Sequence, residues 1–329
     1  MKLHQIVSSE VIHGFRFIIA PFAILISGKV LFEFFAFKFP ELNQSLIHQL
    51  PQNLSSVSLL EIKARLQWLS SVILYFFVVT IFMTFIINNF RNKLAKSTFW
   101  LFITLVLIFS IFEILYLLLI EPSTSPIVSI FHFTFDTLTA SGLYSEYQLD
   151  LITITLSIIN LLAIIVVPLG IMAGCCIMSQ QNSLSKFTLS QLIHQSKQIK
   201  NLLTGGSAVM VIGIVHMQLW FNWPLSLLTE ETLRHQIQAI TLAVSQYWGL
   251  MYTLTMAALY FPAAFSLTAK AKKIILQGND EQAKLNPEKW LADNHMLMSP
   301  FSQLPQLIAM IAPMLMGSFG TTLAKLMPF

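Results

Sequence analysis

Six apolar runs, near residues 15–37, 66–88, 98–120, 151–178, 203–223 and 239–269, constrain this chain more than any other feature of it. At a rise of about 1.5 Å per residue, roughly twenty helical residues cross the ~30 Å hydrocarbon core of a bilayer. Backbone groups in that core find no water, so a crossing segment has to bond its own N–H and C=O groups, as a helix does. Charge content agrees: 10% of the 329 residues are charged and the mean hydropathy is +0.71, whereas soluble domains carry about a quarter charged residues. The expected fold is all-α, a polytopic transmembrane helix bundle of about six spans over residues 1–273, with residues 274–329 as a cytoplasmic or interfacial helical tail. The first run holds Lys29 and Glu33 and is followed by no small-x-small cleavage site, so it reads as a retained anchor.

Orientation follows from the basic residues, which concentrate in cytoplasmic loops. With the N-terminus inside, Lys2, Arg16, Arg91, Lys93, Lys96, Lys186, Lys197, Lys200, Lys270, Lys272, Lys273, Lys284 and Lys289 all fall on the cytoplasmic side. Only Lys38, Lys63, Arg65 and Arg234 are left outside, together with the acidic Glu41, Glu61, Glu121, Asp136, Glu146, Asp150, Glu230 and Glu231. The bundle is therefore expected to be N-in/C-in, in a bacterial cytoplasmic membrane with lipid as its surroundings. The net charge of +4 reflects this topology; the basic residues are scattered over short loops and form no stripe suited to nucleic acid.

Four expectations concern packing and placement. Cys175 and Cys176 are adjacent inside an apolar run and read as lipid-facing or packing residues. Trp68, Trp100, Trp220, Trp223, Tyr247 and Trp248 fall near the ends of runs, where a membrane-interface belt is expected. A Met-rich stretch from Leu304 to Leu326 holds Pro305 and Pro313, and reads as a broken interfacial or bundle-packed helix or as a seventh span. Pro168, with Gly170 and Gly174, marks a kink in the fourth run.

Between the third and fourth runs lies a segment too short to span, Ile130 to Glu146, which follows Pro126 and ends in small hydroxylated residues around Gly142. It reads either as a re-entrant outer loop or as a surface-lying helix that closes the bundle. The stretch Thr137, Leu138, Thr139, Ala140, Ser141, Gly142, Leu143, Tyr144, Ser145, Glu146 resembles the pore-helix end and filter of potassium-channel-like proteins, and the flanking runs match that family's helix, pore loop, helix order over about residues 98–178. The resemblance implies that Thr137, Thr139, Ser141, Gly142 and Tyr144 line a permeation route, with Asp136 and Glu146 as acidic groups at its mouth. Gly142 matches the first filter glycine; Tyr144 stands at the second glycine position and Ala140 in place of a threonine, so potassium selectivity is not implied.

Charges inside spans cost about 2.5–3.5 kcal/mol at a helix centre and usually have a partner or a purpose. Lys29 and Glu33, four residues apart, are expected to pair along one helix face. Glu113 has no charged neighbour at helical spacing, which leaves protonation, an interhelical partner such as Lys29 or His216, or access to water. His216 is expected to bond another helix, or to share a proton path or metal site with Glu113 and His132. No metal, cofactor or nucleotide fingerprint is present to support an enzyme. The expected function is an ion channel or pore-forming protein, a homo-oligomer; the alternatives are a membrane-embedded effector working with a soluble cytoplasmic partner, through the cytoplasmic segment 179–202 and the tail, and a membrane enzyme.

Overall fold

The computed structural model describes residues 9–35, 58–90, 96–119, 126–179, 188–228, 230–278, 281–299 and 301–326. Lys2, Lys38, Glu41, Arg91, Lys93, Glu121 and Lys186, used above to set the orientation, lie outside the described residues, as do residues 36, 37 and 120 of the expected spans.

The described chain is helical: α1 (Ser9–Phe35), α2 (Ser58–Phe90), α3 (Lys96–Leu119), α4 (Pro126–Ala140), α5 (Glu146–Ser179), α6 (Leu189–Asn222), α7 (Glu231–Gln277), α8 (Glu281–Leu285), α9 (Pro287–Asp293) and α10 (Leu304–Leu326), with a 3₁₀ turn at Trp223–Ser226. Among the described residues, five stretches are long and apolar enough to cross a membrane: Arg16–Phe34, Leu59–Asn89, Glu146–Met178, Leu189–Ser226 and Glu231–Gln277. Ile103–Tyr116 and Leu304–Ser318 are shorter apolar helical stretches. Apolar side chains stand outward on α1, α2, α3 and α5, Phe34, Ile73, Phe112 and Ile154 among them. On a protein in water such a surface would be a liability; in lipid it is the solvent-compatible face.

Several helices outrun their apolar runs. α2 begins at Ser58, so Glu61, Lys63 and Arg65 sit on a helix and not in a loop. Residues 189–202, expected as a cytoplasmic loop, are the first turns of α6. Their Leu192, Gln195, Gln198 and Ile199 are buried at helical spacing, so the apolar face continues where average hydropathy falls.

Side-chain bonds near the helix ends show the alternating direction of the elements. Glu61, at the start of α2, meets Trp223 beyond the end of α6 and Tyr144 just before α5. At the opposite end, Asn89 of α2 accepts from Gln198 of α6 at 3.4 Å, and Gln195 donates to the Ile177 carbonyl of α5 at 3.2 Å. One end of the bundle thus gathers Glu61, Glu146 and Glu231 and is called here the acidic end. The other gathers Lys197, Lys200, Lys270 and Lys273, the basic end.

The core is one contiguous cluster running from Trp68 and Trp220 through Tyr75, Phe82 and Leu202 to Leu267 and Leu291. Cys175 and Cys176 are buried in it and are packing residues. A cavity of about 20 Å³ lies among Phe82, Val166, Leu202, Gly206 and Leu259, room for about one water and lined by apolar groups.

Against the expectation of a broken segment, α10 is continuous through Pro313 and packs along α6 and α7. Proline removes the N–H that would bond the carbonyl four residues earlier. For Pro313 that carbonyl belongs to Ala309, and the Ser207 hydroxyl of α6 donates to it instead. Pro168 in α5 is treated alike: the freed Ile164 carbonyl faces the Ser110 hydroxyl of α3 at 3.5 Å. Gln218 of α6 adds bonds to the Met316 and Gly317 carbonyls of α10, at 3.3 and 3.2 Å.

The α7–α10 crossing depends on two glycines. A Cβ on Gly249 would stand 2.6 Å from the Pro313 carbonyl oxygen, and one on Gly317 would stand 2.6 Å from that of Ser245. Backbone meets backbone here, as at small-residue crossings in membranes. Gly249→Ala and Gly317→Ala are each expected to push the helices apart and cost about 1–3 kcal/mol, read as a lower unfolding temperature in detergent. Gly213→Ala, where the nearest atom is a Tyr75 ring carbon at 3.8 Å, should leave the temperature unchanged.

Candidate functional site

The short helix α4 lies across the acidic end. Phe133, Thr134, Thr137 and Leu138 recur at helical spacing and are buried, while Asp136, Thr139 and Ala140 are exposed. Phe133 packs with Leu225, Leu228, Leu233 and Ile237 in a satellite cluster, and the Thr134 hydroxyl donates to the Trp220 carbonyl at 3.1 Å. α4 ends at Ala140 and Gly142 takes φ +65°, with no heavy atom within 4 Å of where a Cβ would be. Ser145 and Gln148 then cap α5 reciprocally: the Ser145 N–H donates to Gln148 Oε1 at 2.9 Å and the Gln148 N–H to Ser145 Oγ at 3.4 Å.

The expected pore-lining residues divide into two groups. Asp136, Thr139, Gly142 and Glu146 are exposed. Thr137 is buried, and the hydroxyls of Thr137, Thr139 and Ser141 donate to carbonyls of their own helix, at 2.8, 2.9 and 2.6 Å. Between α4 and α5 the backbone leaves the helix at residues 141–145.

Tyr144 is tied inward. Its hydroxyl donates to Glu61, its ring stands edge-on to Trp223 at 5.9 Å, and Arg65 lies 6.0 Å above it. Burial first, and then the Glu61 carboxylate, hold the phenol well above its ordinary pKa, so it stays a donor. Glu61 is 5% exposed and also accepts from the Trp223 indole at 3.2 Å and pairs with Arg65 at 3.5 Å. Three elements thereby share one carboxylate.

Below it runs a buried polar and aromatic seam between α2 and α6. Trp68 stacks within 5.1 Å of Trp223 and 5.5 Å of Trp220, and His216 bonds Ser71 through Nδ1 at 3.1 Å. Trp68, Trp220 and Trp223 are 2%, 0% and 1% exposed. These three are therefore core residues and not members of an interface belt; Trp100, at 57% exposure, stands as a belt residue does. The seam was legible as Glu61, Arg65, Trp68, Ser71 and Tyr75, spaced at helical intervals, once α2 is known to start at Ser58.

The second polar locus joins α1 and α3. Lys29 ion-pairs with Glu113 and sits 4.1 Å over the Tyr116 ring, beside an edge-on contact of Phe22 with Phe109 at 5.1 Å. Lys29, expected to pair with Glu33 or to partner Glu113, is in contact with Glu113; Glu33 lies one turn further on and is partly buried. Of the partners considered for Glu113, the structure brings Lys29 to it, while His216 faces Ser71, Trp68 and Tyr75. His132 is exposed on α4.

Comparison of the chain with protein-family models, curated proteins and solved structures finds no match.

Removing one partner of an ion pair in a low-dielectric region leaves the other uncompensated, whereas removing both is far milder. Glu113→Gln and Lys29→Met should each lower the unfolding temperature, and the double variant should recover part of the loss. A double-mutant cycle should give a coupling of about 0.5–3 kcal/mol; additive effects would show that the pair contributes nothing.

Proposed function

We propose that the chain is a multi-pass membrane protein of about six spans, both termini cytoplasmic, that passes ions as a homo-oligomer in a bacterial cytoplasmic membrane. The observation that carries this reading is the short helix, open turn, long helix order of α4 and α5, with Asp136, Thr139, Gly142 and Glu146 exposed at the acidic end. That order is the basis of the likeness to potassium-channel-like pore segments. The apolar cavity of about 20 Å³ among Phe82, Leu202 and Leu259 has room for about one water, and the reading places the route between copies. Exposed carboxylates at such a mouth concentrate cations, in a way that salt screens.

Two measurements test it. Cysteines placed at Ser145 and Glu231 should label from outside intact cells and one at Lys289 should not; the reverse pattern overturns the orientation. In planar bilayers, neutralising Asp136 and Glu146 to Asn and Gln should lower cation conductance at low ionic strength and matter less at high salt. Gly142→Val should also reduce it, because φ +65° suits glycine and penalises a β-branched residue. Unchanged conductance in both well-expressed variants overturns the permeation reading.

A further inference from the structure

Three nitrogen atoms in the seam are buried with no hydrogen-bond partner from the protein: Trp68 Nε1, Trp220 Nε1 and His216 Nε2. Their residues are 2%, 0% and 4% exposed. They belong to one neighbourhood, the Trp68 ring lying 5.5 Å from that of Trp220 and 6.0 Å from that of His216. Buried polar groups in folded proteins are normally satisfied, by protein or by a bound molecule, and the need is greatest where no bulk water is at hand.

The bonding of Ser71 fixes what each atom requires. A serine hydroxyl has one hydrogen, and Ser71 donates it to the Trp68 carbonyl at 2.6 Å. Its oxygen can then only accept from His216 Nδ1 at 3.1 Å. The neutral imidazole therefore carries its proton on Nδ1, and Nε2 is a bare acceptor. The neighbourhood presents two donors, the indole N–H groups, and one acceptor.

We propose that Trp68, Trp220 and His216 form a buried binding site for one small hydroxylic molecule, which accepts from the two indoles and donates to His216 Nε2. Water meets this description, and so does a lipid hydroxyl. An anion without a proton, such as chloride or a carboxylate, does not, since it cannot donate to Nε2. The site is roofed by Trp223, whose indole is bonded to Glu61, so a molecule entering from the acidic end passes the Glu61–Tyr144 tether. His216 then ends a polar seam that begins at a carboxylate, a role independent of the route proposed between copies.

The test is magic-angle-spinning NMR of the full chain in lipid bilayers, labelled with ¹⁵N at Trp and His. Signals are assigned by their loss in Trp68→Phe, Trp220→Phe and His216→Gln. His216 should show a protonated Nδ1 and a bare Nε2, and that single-tautomer signature should be lost in Ser71→Ala, a small change that keeps the fold. Polarisation should build up on the Trp68 and Trp220 indole N–H groups from water protons. Build-up from lipid headgroup protons instead assigns the occupant as a lipid hydroxyl and keeps the site. A protonated Nε2, or indoles that receive from neither source and so donate to neighbouring ring faces, overturns the proposal.

Discussion

The constraint on which this structure depends is that a polar group freed inside the bundle has no bulk water to turn to. Helices satisfy most of their backbone by themselves, and the remaining polar atoms then decide how the helices sit against one another. Ser207 on the Ala309 carbonyl and Ser110 near the Ile164 carbonyl are each one hydroxyl, placed on a neighbouring helix, at the one carbonyl that a proline leaves bare. These bonds fix position along the helix axis, which apolar packing between smooth Leu, Ile and Phe surfaces does poorly.

The same rule explains the two charged loci. Lys29 finds Glu113 across a helix boundary and shields its ammonium further on the Tyr116 face. Glu61 is surrounded by donors from three directions, an indole, a phenol and a guanidinium. Each arrangement joins segments far apart in the chain, so each contributes specificity of assembly as well as stability.

The all-helical fold with long apolar helices was legible because it needs only run length and charge content, both of which survive any rearrangement of side chains. Helix ends were not. Glu61, Arg65, Gln195 and Lys200 lower the average hydropathy while continuing the helix, so averaging cut α2 and α6 short. Partners were legible only within one helix, which is why Lys29 was matched with Glu33 and its contact across 84 residues with Glu113 stood as one alternative among several. The tryptophans misled for a related reason: position near the end of a run says how deep a residue sits, and nothing about which way it faces. Gly142 and the Ser145–Gln148 cap were readable as a turn and a helix start because both are local.

The docking of α10 has a consequence for biosynthesis. Ser207 and Gln218 find their carbonyl partners 98 to 102 residues later in the chain, in α10, which is made well after α6 and α7. Until then the polar stripe of α6 and the glycine groove of α7 stand without their partner, a half-built surface that another small-residue helix could occupy. Completion of this part of the bundle therefore waits on synthesis of α10. A truncation that removes α10 would act on the nascent bundle before it acted on anything the mature protein does.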